Sequence, residues 1–304
     1  MLEFRFAGGW ERGDGGWRLN LDVVELFVGT EAVADGALTR KQLARWYRPL
    51  FRNVYAPRGQ QLTARDRAVA AWLWSKRRGI VTGVAASAMH GAEWVDAHIP
   101  IELIFECTHP PAGIAARKER VADDEITLVD GVRVATVART AFDLGRYQIG
   151  DRAVARMDAL MRAAPFSIEE VLLLAKRYRG ARGVKCLKDT LPLVDGGAAS
   201  PRETWLRLIY IDGGLPKPTT QIPIFDVDGV LLRTVDMGWE DFKVLSEYDG
   251  DQHRTDRPQY VKDMRVIPKI ERLGFIVERV IKEDRPAAIL RRAWDAMISR
   301  GWRP

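Results

Sequence analysis

Three carboxylates in residues 235–254 stand at spacings that could serve one chemistry. Asp236 closes one apolar β-type run, and Glu247 and Asp249 lie two apart at the end of the next. Two residues apart on a strand share a face, so Glu247 and Asp249 leave the same side. With the two runs side by side, all three acids converge. Such a cluster repels itself unless a cation, a proton or an arginine compensates it. A divalent cation, Mg2+ or Mn2+, is the first arrangement to test, with Asp236 and Glu247 as its ligands and Asp249 beside them. A metal there would acidify a bound water and neutralise charge building on a phosphodiester. His253 follows the acids within a turn, placed either as a base or phosphate ligand or as an ordinary loop residue.

The elements that must hold these groups are legible around them. Ser200-Pro201-Arg202-Glu203 opens a helix, with Pro at its first position and a Ser-to-Glu capping box. The pattern then predicts strands over 219–225, 230–237 and 243–248, the first two joined by Asp228-Gly229, a hairpin dipeptide. A helix over 259–273, a strand over 275–280 and a helix over 286–300 complete an α-β-β-β-α-β-α order, a mixed sheet flanked by helices. Glu203 could reach the acid cluster as an outer contact, although the capping box is reason enough for it. Lys262 and Arg265 fall on the later helix, where Arg265 is placed to pair with an acid.

The N-terminal region is cationic. Between Arg40 and Arg78 there are 11 Lys or Arg against one acid, Asp66, while from Ala198 onward the count is 18 basic to 17 acidic. Local excess of this kind suits a polyanion, because phosphates bound by Lys and Arg release counterions; it also suits a solvated helix surface. Residues 30–36 read as a short helix with Thr30 as N-cap, and 38–46 as a second capped by Thr39. They frame a helix-turn-helix. Leu43 and Trp46 form the apolar side of the second helix, leaving Arg40, Lys41, Gln42 and Arg45 to reach outward. Residues 50–57 read as a strand pair with a basic turn, a wing that adds Arg52 to the DNA-facing set, and Arg48 just before it belongs to the same set. Thr63 caps a helix over 64–78, and Thr82 one ending near His90.

Residues 95–197 alternate strands at 101–105, 126–129 and 132–135 with helices at 139–144, 152–162 and 167–178, and Asp130-Gly131 marks a hairpin. The basic run 176–185 reads equally as a DNA-backbone contact or a solvated hinge. Gly196-Gly197-Ala198-Ala199 reads as a linker, giving three expected regions: 1–94, 95–197 and 198–304. The fold class expected is α/β in the α+β sense. Two cysteines without a CxxC exclude a disulfide framework and a zinc ribbon. No run approaches the roughly 18 to 20 apolar residues of a membrane span, and the first residues lack secretory order, so a cytoplasmic protein without a membrane partner is expected.

The C-terminal hundred residues resemble the very-short-patch-repair-like branch of the PD-(D/E)XK nuclease superfamily. The likeness lies in Glu203, Asp236, Glu247-Tyr248-Asp249-Gly250-Asp251-Gln252-His253, Asp263 and Arg265. It implies a restriction-endonuclease-like sheet and Mg2+-dependent cleavage of DNA. Asp249 stands where that superfamily carries its signature lysine, so support of the phosphate would fall to His253, Arg254 or Lys262. Residues 38–56 and 132–144 resemble AbiEi-type antitoxins of type IV toxin–antitoxin systems, a winged helix followed by an α/β domain. That likeness implies DNA binding and a cognate toxin as partner. Two functions are therefore expected in competition: a Mg2+-dependent endodeoxyribonuclease, or an antitoxin-like DNA-binding regulator whose nuclease fold is inactive.

Overall fold

The computed structural model describes residues 10–13, 16–19, 25–249 and 266–304, and the chain is α+β. By internal contact it divides into two compact units: Met1–Gly91 with Val95–Thr140, and Ala92–Trp94 with Ala141–Pro304.

In the first unit, β1 (Trp10–Gly13) and β2 (Gly16–Leu19) form an antiparallel hairpin. Then follow β3 (Phe27–Val28), α1 (Gly29–Ala34), α2 (Arg40–Trp46), β4 (Tyr47–Phe51) and β5 (Val54–Pro57). The three strands pair in the order β3-β5-β4, all antiparallel. A short strand, two helices and a returning hairpin in this sheet order form a winged helix. Thr30 is not the cap of α1: Val28 is, with no side-chain bond, and Thr30 instead exchanges hydrogen bonds with Asn53 of the wing turn.

Next come α3 (Ala64–Trp74), β6 (Ile80–Val81), α4 (Gly83–Met89), β7 (Ile101–Ile104), β8 (Ile114–Arg117), β9 (Ile126–Val129) and β10 (Val132–Ala135). The strands order as β8-β7-β6-β10-β9, mixed in direction. Thr63 caps α3 through a box with Asp66, but the helix stops at Trp74, because Lys76 and Arg77 take left-handed backbone angles. Asp130 and Gly131 both have positive φ, as the tight turn joining β9 and β10 requires. Phe51 and Val54 of the wing share one core with α3, α4 and the five-stranded sheet.

Helix α5 (Val137–Tyr147) carries the chain into the second unit, followed by α6 (Asp151–Ala163), α7 (Ile168–Arg177), α8 (Val184–Thr190) and α9 (Pro201–Asp212). The basic run thus closes one helix and opens another. Strands β11 (Thr219–Phe225), β12 (Leu231–Trp239) and β13 (Val244–Asp249) form an antiparallel meander. A helix described over 266–272, α10, leads to β14 (Ile276–Ile281), parallel to β13, and α11 (Pro286–Ser299) closes the chain. This is the mixed sheet expected from the patterning.

The division by internal contact falls inside α5, and within the second unit a buried ion pair joins two helices. Arg207 on α9 donates to Asp158 on α6 at 2.7 Å, both almost fully buried, and Thr204 and the Asp195 amide also donate to Asp158. Gly196–Ala199 is accordingly a packed corner, with Ala198 buried and the Ala199 carbonyl accepting from Trp94 Nε1 at 3.1 Å. Among the described residues no helix is long and apolar enough to cross a membrane.

Candidate functional site

The acid region is built where β12 and β13 stop pairing. Their register runs Trp239↔Val244, Gly238↔Leu245 and Met237↔Ser246, so the next step outward sets Asp236 against Glu247. At that step Asp236 Oδ2 accepts from the Tyr248 amide at 2.8 Å, a side chain taking a ladder donor. Strand periodicity breaks at the same place. Val235 packs with Ile222, Ile224 and Leu245 in one core, yet Met237, two residues on, packs with Leu206 and Tyr210 in another. Residues two apart on a regular strand share a face, so β12 turns over through Asp236. Across the sheet, Gln221 holds the register position opposite Asp236 with φ +53°, a left-handed kink in β11.

Each described acid has its own compensation. Glu247 is 4% exposed, and Arg233 Nε lies 2.7 Å from its Oε1. Asp249, two residues on, accepts from an Arg279 guanidinium nitrogen at 2.6 Å. Glu203 occupies the third position of α9, where its amide donates to Ser200 Oγ at 3.2 Å. Its carboxylate does not close the expected box on Ser200; Oε2 accepts from the Ala199 amide at 2.8 Å and from Gln221 Nε2 at 3.4 Å. Burial, and after it the charge of Asp236, push the Glu203 carboxyl up to about 7, against the pull of the Ala199 amide, Ser200 and Arg162. The structure therefore brings Glu203 into the field of Asp236, and gives Glu247 and Asp249 each an arginine.

Among the described residues no three His, Cys, Asp or Glu side chains are grouped to hold a metal ion. As the side chains stand, the Asp236–Glu247 pair does not fit a divalent cation, because Arg233 already occupies the Glu247 carboxylate. His253, Arg254, Lys262, Asp263 and Arg265 lie outside the described residues. Arg233, Arg279 and Gln221 are the site residues that patterning missed. Alternation along β12 carries a signal for Arg233, but its partner follows only from the register with β13.

The cationic site centres on α2. Thr39 caps this helix through a box in which the Gln42 amide donates to Thr39 Oγ1 at 3.2 Å and the Thr39 amide donates to Gln42 Oε1 at 2.8 Å. Gln42 is thereby committed to the cap instead of reaching outward. Trp46 is also not an inward anchor: it is 50% exposed, and α2 buries no residue. Arg40, Lys41 and Arg45 are exposed and form no ion pair with a described residue, as is Arg52 at the wing turn. Arg48 is half-buried and donates to the Gln60 carbonyl at 3.3 Å, which makes it a brace of the wing.

Comparisons with known proteins add a distant likeness. No protein-family model matches the chain, and no solved structure matches it. The chain is 31% identical over 172 residues to two proteins of Mycobacterium tuberculosis, the uncharacterized protein Rv2248 of strain H37Rv and the uncharacterized protein MT2308 of strain CDC 1551. The matched segment is 56% of this chain and spans 60% of each relative's length.

Proposed function

We propose that this chain is a DNA-binding regulator that docks through its winged helix and keeps a nuclease-like C-terminal domain as a non-catalytic scaffold. The observation that carries the reading is the exposed cationic set Arg40, Lys41, Arg45 and Arg52 on α2 and the wing, without an ion-pair partner among the described residues. Cations left unpaired on a capped helix and a hairpin turn meet phosphates at little desolvation cost and release counterions on doing so. The guanidinium partners of Glu247 and Asp249 favour the scaffold role, since they already neutralise acids that a metal would need. A cognate toxin is the partner that the antitoxin-like reading implies.

A second reading, Mg2+- or Mn2+-dependent phosphodiester hydrolysis, is favoured by the pairing of Glu203 with Asp236, whose mutual repulsion a divalent cation would relieve. Two assays test the proposal. Fluorescence anisotropy with a labelled duplex should show binding that falls steeply as salt rises and that Arg40→Ala with Arg45→Ala weakens; salt-insensitive binding, or none, sinks the DNA reading. Plasmid nicking with Mg2+ or Mn2+, comparing wild type with Asp236→Ala, should show no metal-dependent cleavage. Cleavage lost in Asp236→Ala would replace the scaffold by the enzyme.

A further inference from the structure

A cavity of about 650 Å3 lies in the first unit, walled by the wing turn, the start of α1, the end of α3 and the chain leaving β7. This volume falls in the range that holds small organic ligands. Four cations line it, Arg52, Lys76, Arg77 and Arg78, against one acid, Glu31. Glu31 is already spent: Arg77 grips it with both guanidinium nitrogens, at 2.7 and 2.6 Å. Arg52, Lys76 and Arg78 are exposed and have no ion pair with a described residue, so the cavity carries a surplus of positive charge.

The rest of the lining specifies more than an anion. Trp74 and Phe105 both line the cavity and meet edge to face at 5.9 Å, and the Arg78 guanidinium lies 5.5 Å from the Phe105 ring centre. Flat rings beside a guanidinium plane suit a planar, polarizable ligand body. The cations are delivered by a strained turn, with Lys76 and Arg77 consecutively left-handed at φ 58° and 62°. Side-chain-bearing residues seldom hold that conformation, and such strain gathers at ligand sites. Ser75 pins the turn, its buried hydroxyl donating to the Trp72 carbonyl at 2.6 Å and accepting from the Gly79 amide at 2.8 Å.

We infer that this cavity binds a free nucleoside phosphate, its phosphate held by Arg52, Lys76 and Arg78 and its base set against Trp74 and Phe105. The site shares Arg52 of the wing turn with the DNA reading, while Lys76, Arg78, Trp74 and Phe105 belong to neither α2 nor the wing.

Cys107 lines the same cavity and reports on it, while Cys186 is exposed on α8 and does not line it. The test is the rate of alkylation of each thiol, resolved by mass spectrometry, in the full chain with AMP, ATP, inorganic phosphate, adenosine or a DNA oligonucleotide. AMP and ATP should slow Cys107 and leave Cys186 unchanged, with phosphate or adenosine alone far weaker. Lys76→Ala and Arg78→Ala should each weaken protection about tenfold, the loss of one charge-assisted contact. Thermal melting checks that these surface variants are folded. The proposal fails if millimolar AMP and ATP leave Cys107 unchanged, or if protection persists in the folded double variant. It also fails if inorganic phosphate protects as well as AMP, or if only the oligonucleotide protects; the latter would make the ligand a nucleotide of DNA.

Discussion

Arg233 Nε stands 2.7 Å from Glu247 Oε1, on a side chain that is only 6% exposed at the carboxylate end of the pair. Residues 14 positions apart in the chain meet because β12 and β13 run antiparallel and bring their ends together. The protein's own cation thus sits on the acid that a metal-dependent hydrolase would need vacant.

Removing one partner of a buried pair leaves the other charge desolvated and unmatched, at a cost of about 3 kcal/mol or more. Arg233→Ala is therefore expected to lower the urea midpoint of the second unit markedly, while Arg233→Ala with Glu247→Gln recovers part of the loss. In the single variant, with the Arg233 cation gone from beside Glu247, melting should also respond to Mg2+ more than in wild type. Unchanged stability in Arg233→Ala would show that the contact is ornamental.

Glu203 makes stability depend on pH with a definite sign. Its folded carboxyl titrates at about 7 against an ordinary 4.5, so between those values the folded state binds the extra proton. Stability from this group is fully present below about pH 4.5 and is lost as pH rises through 7, a change of up to roughly 3 kcal/mol. Glu203→Gln keeps the acceptor for the Ala199 amide and removes the titration. Denaturation at pH 5 and pH 8 should show wild type losing stability across the interval and the variant losing less. Equal losses in the two proteins would refute the assignment.

The Arg207–Asp158 pair ties α9 to α6, so the sheet-bearing segment is not expected to fold by itself. A fragment of residues 198–304 leaves Arg207 buried without Asp158, whereas one beginning at 141 keeps both. Circular dichroism melts should be cooperative for the longer fragment and absent or broad for the shorter. In the full chain, Arg207→Leu should cost about 3–5 kcal/mol, because Asp158 stays buried without its cation. A sharp transition in the shorter fragment would show that residues 198–304 fold on their own.

On α2, Gln42 and Arg45 should fail in different ways. Arg45→Ala should reduce the salt dependence of DNA binding by about one phosphate contact and leave stability nearly unchanged. Gln42→Ala removes half of the capping box and should cost about 0.5–2 kcal/mol in stability, with the salt slope kept. Anisotropy titrations at several salt concentrations, paired with thermal melts, separate the two. A reduced slope in Gln42→Ala would return that residue to the interface.

What was legible in the amino-acid order is what short-range physics controls. Thr39, Thr63 and Ser200 announce helices because each cap bonds an amide three residues on, and Asp130-Gly131 announces its hairpin because the turn needs positive φ at both positions. The α-β-β-β-α-β-α order, the mixed sheet and the shared face of Glu247 and Asp249 follow from local periodicity alone. The partners do not. Arg233 reaches Glu247, and Arg279 reaches Asp249, through strand register; β12 turns over at Asp236 because two cores compete for Val235 and Met237. Sequence determined by itself which residues carry charge and which segments become helix or strand. Tertiary structure decided which charges remain free to act, because that depends on neighbours brought together from distant parts of the chain.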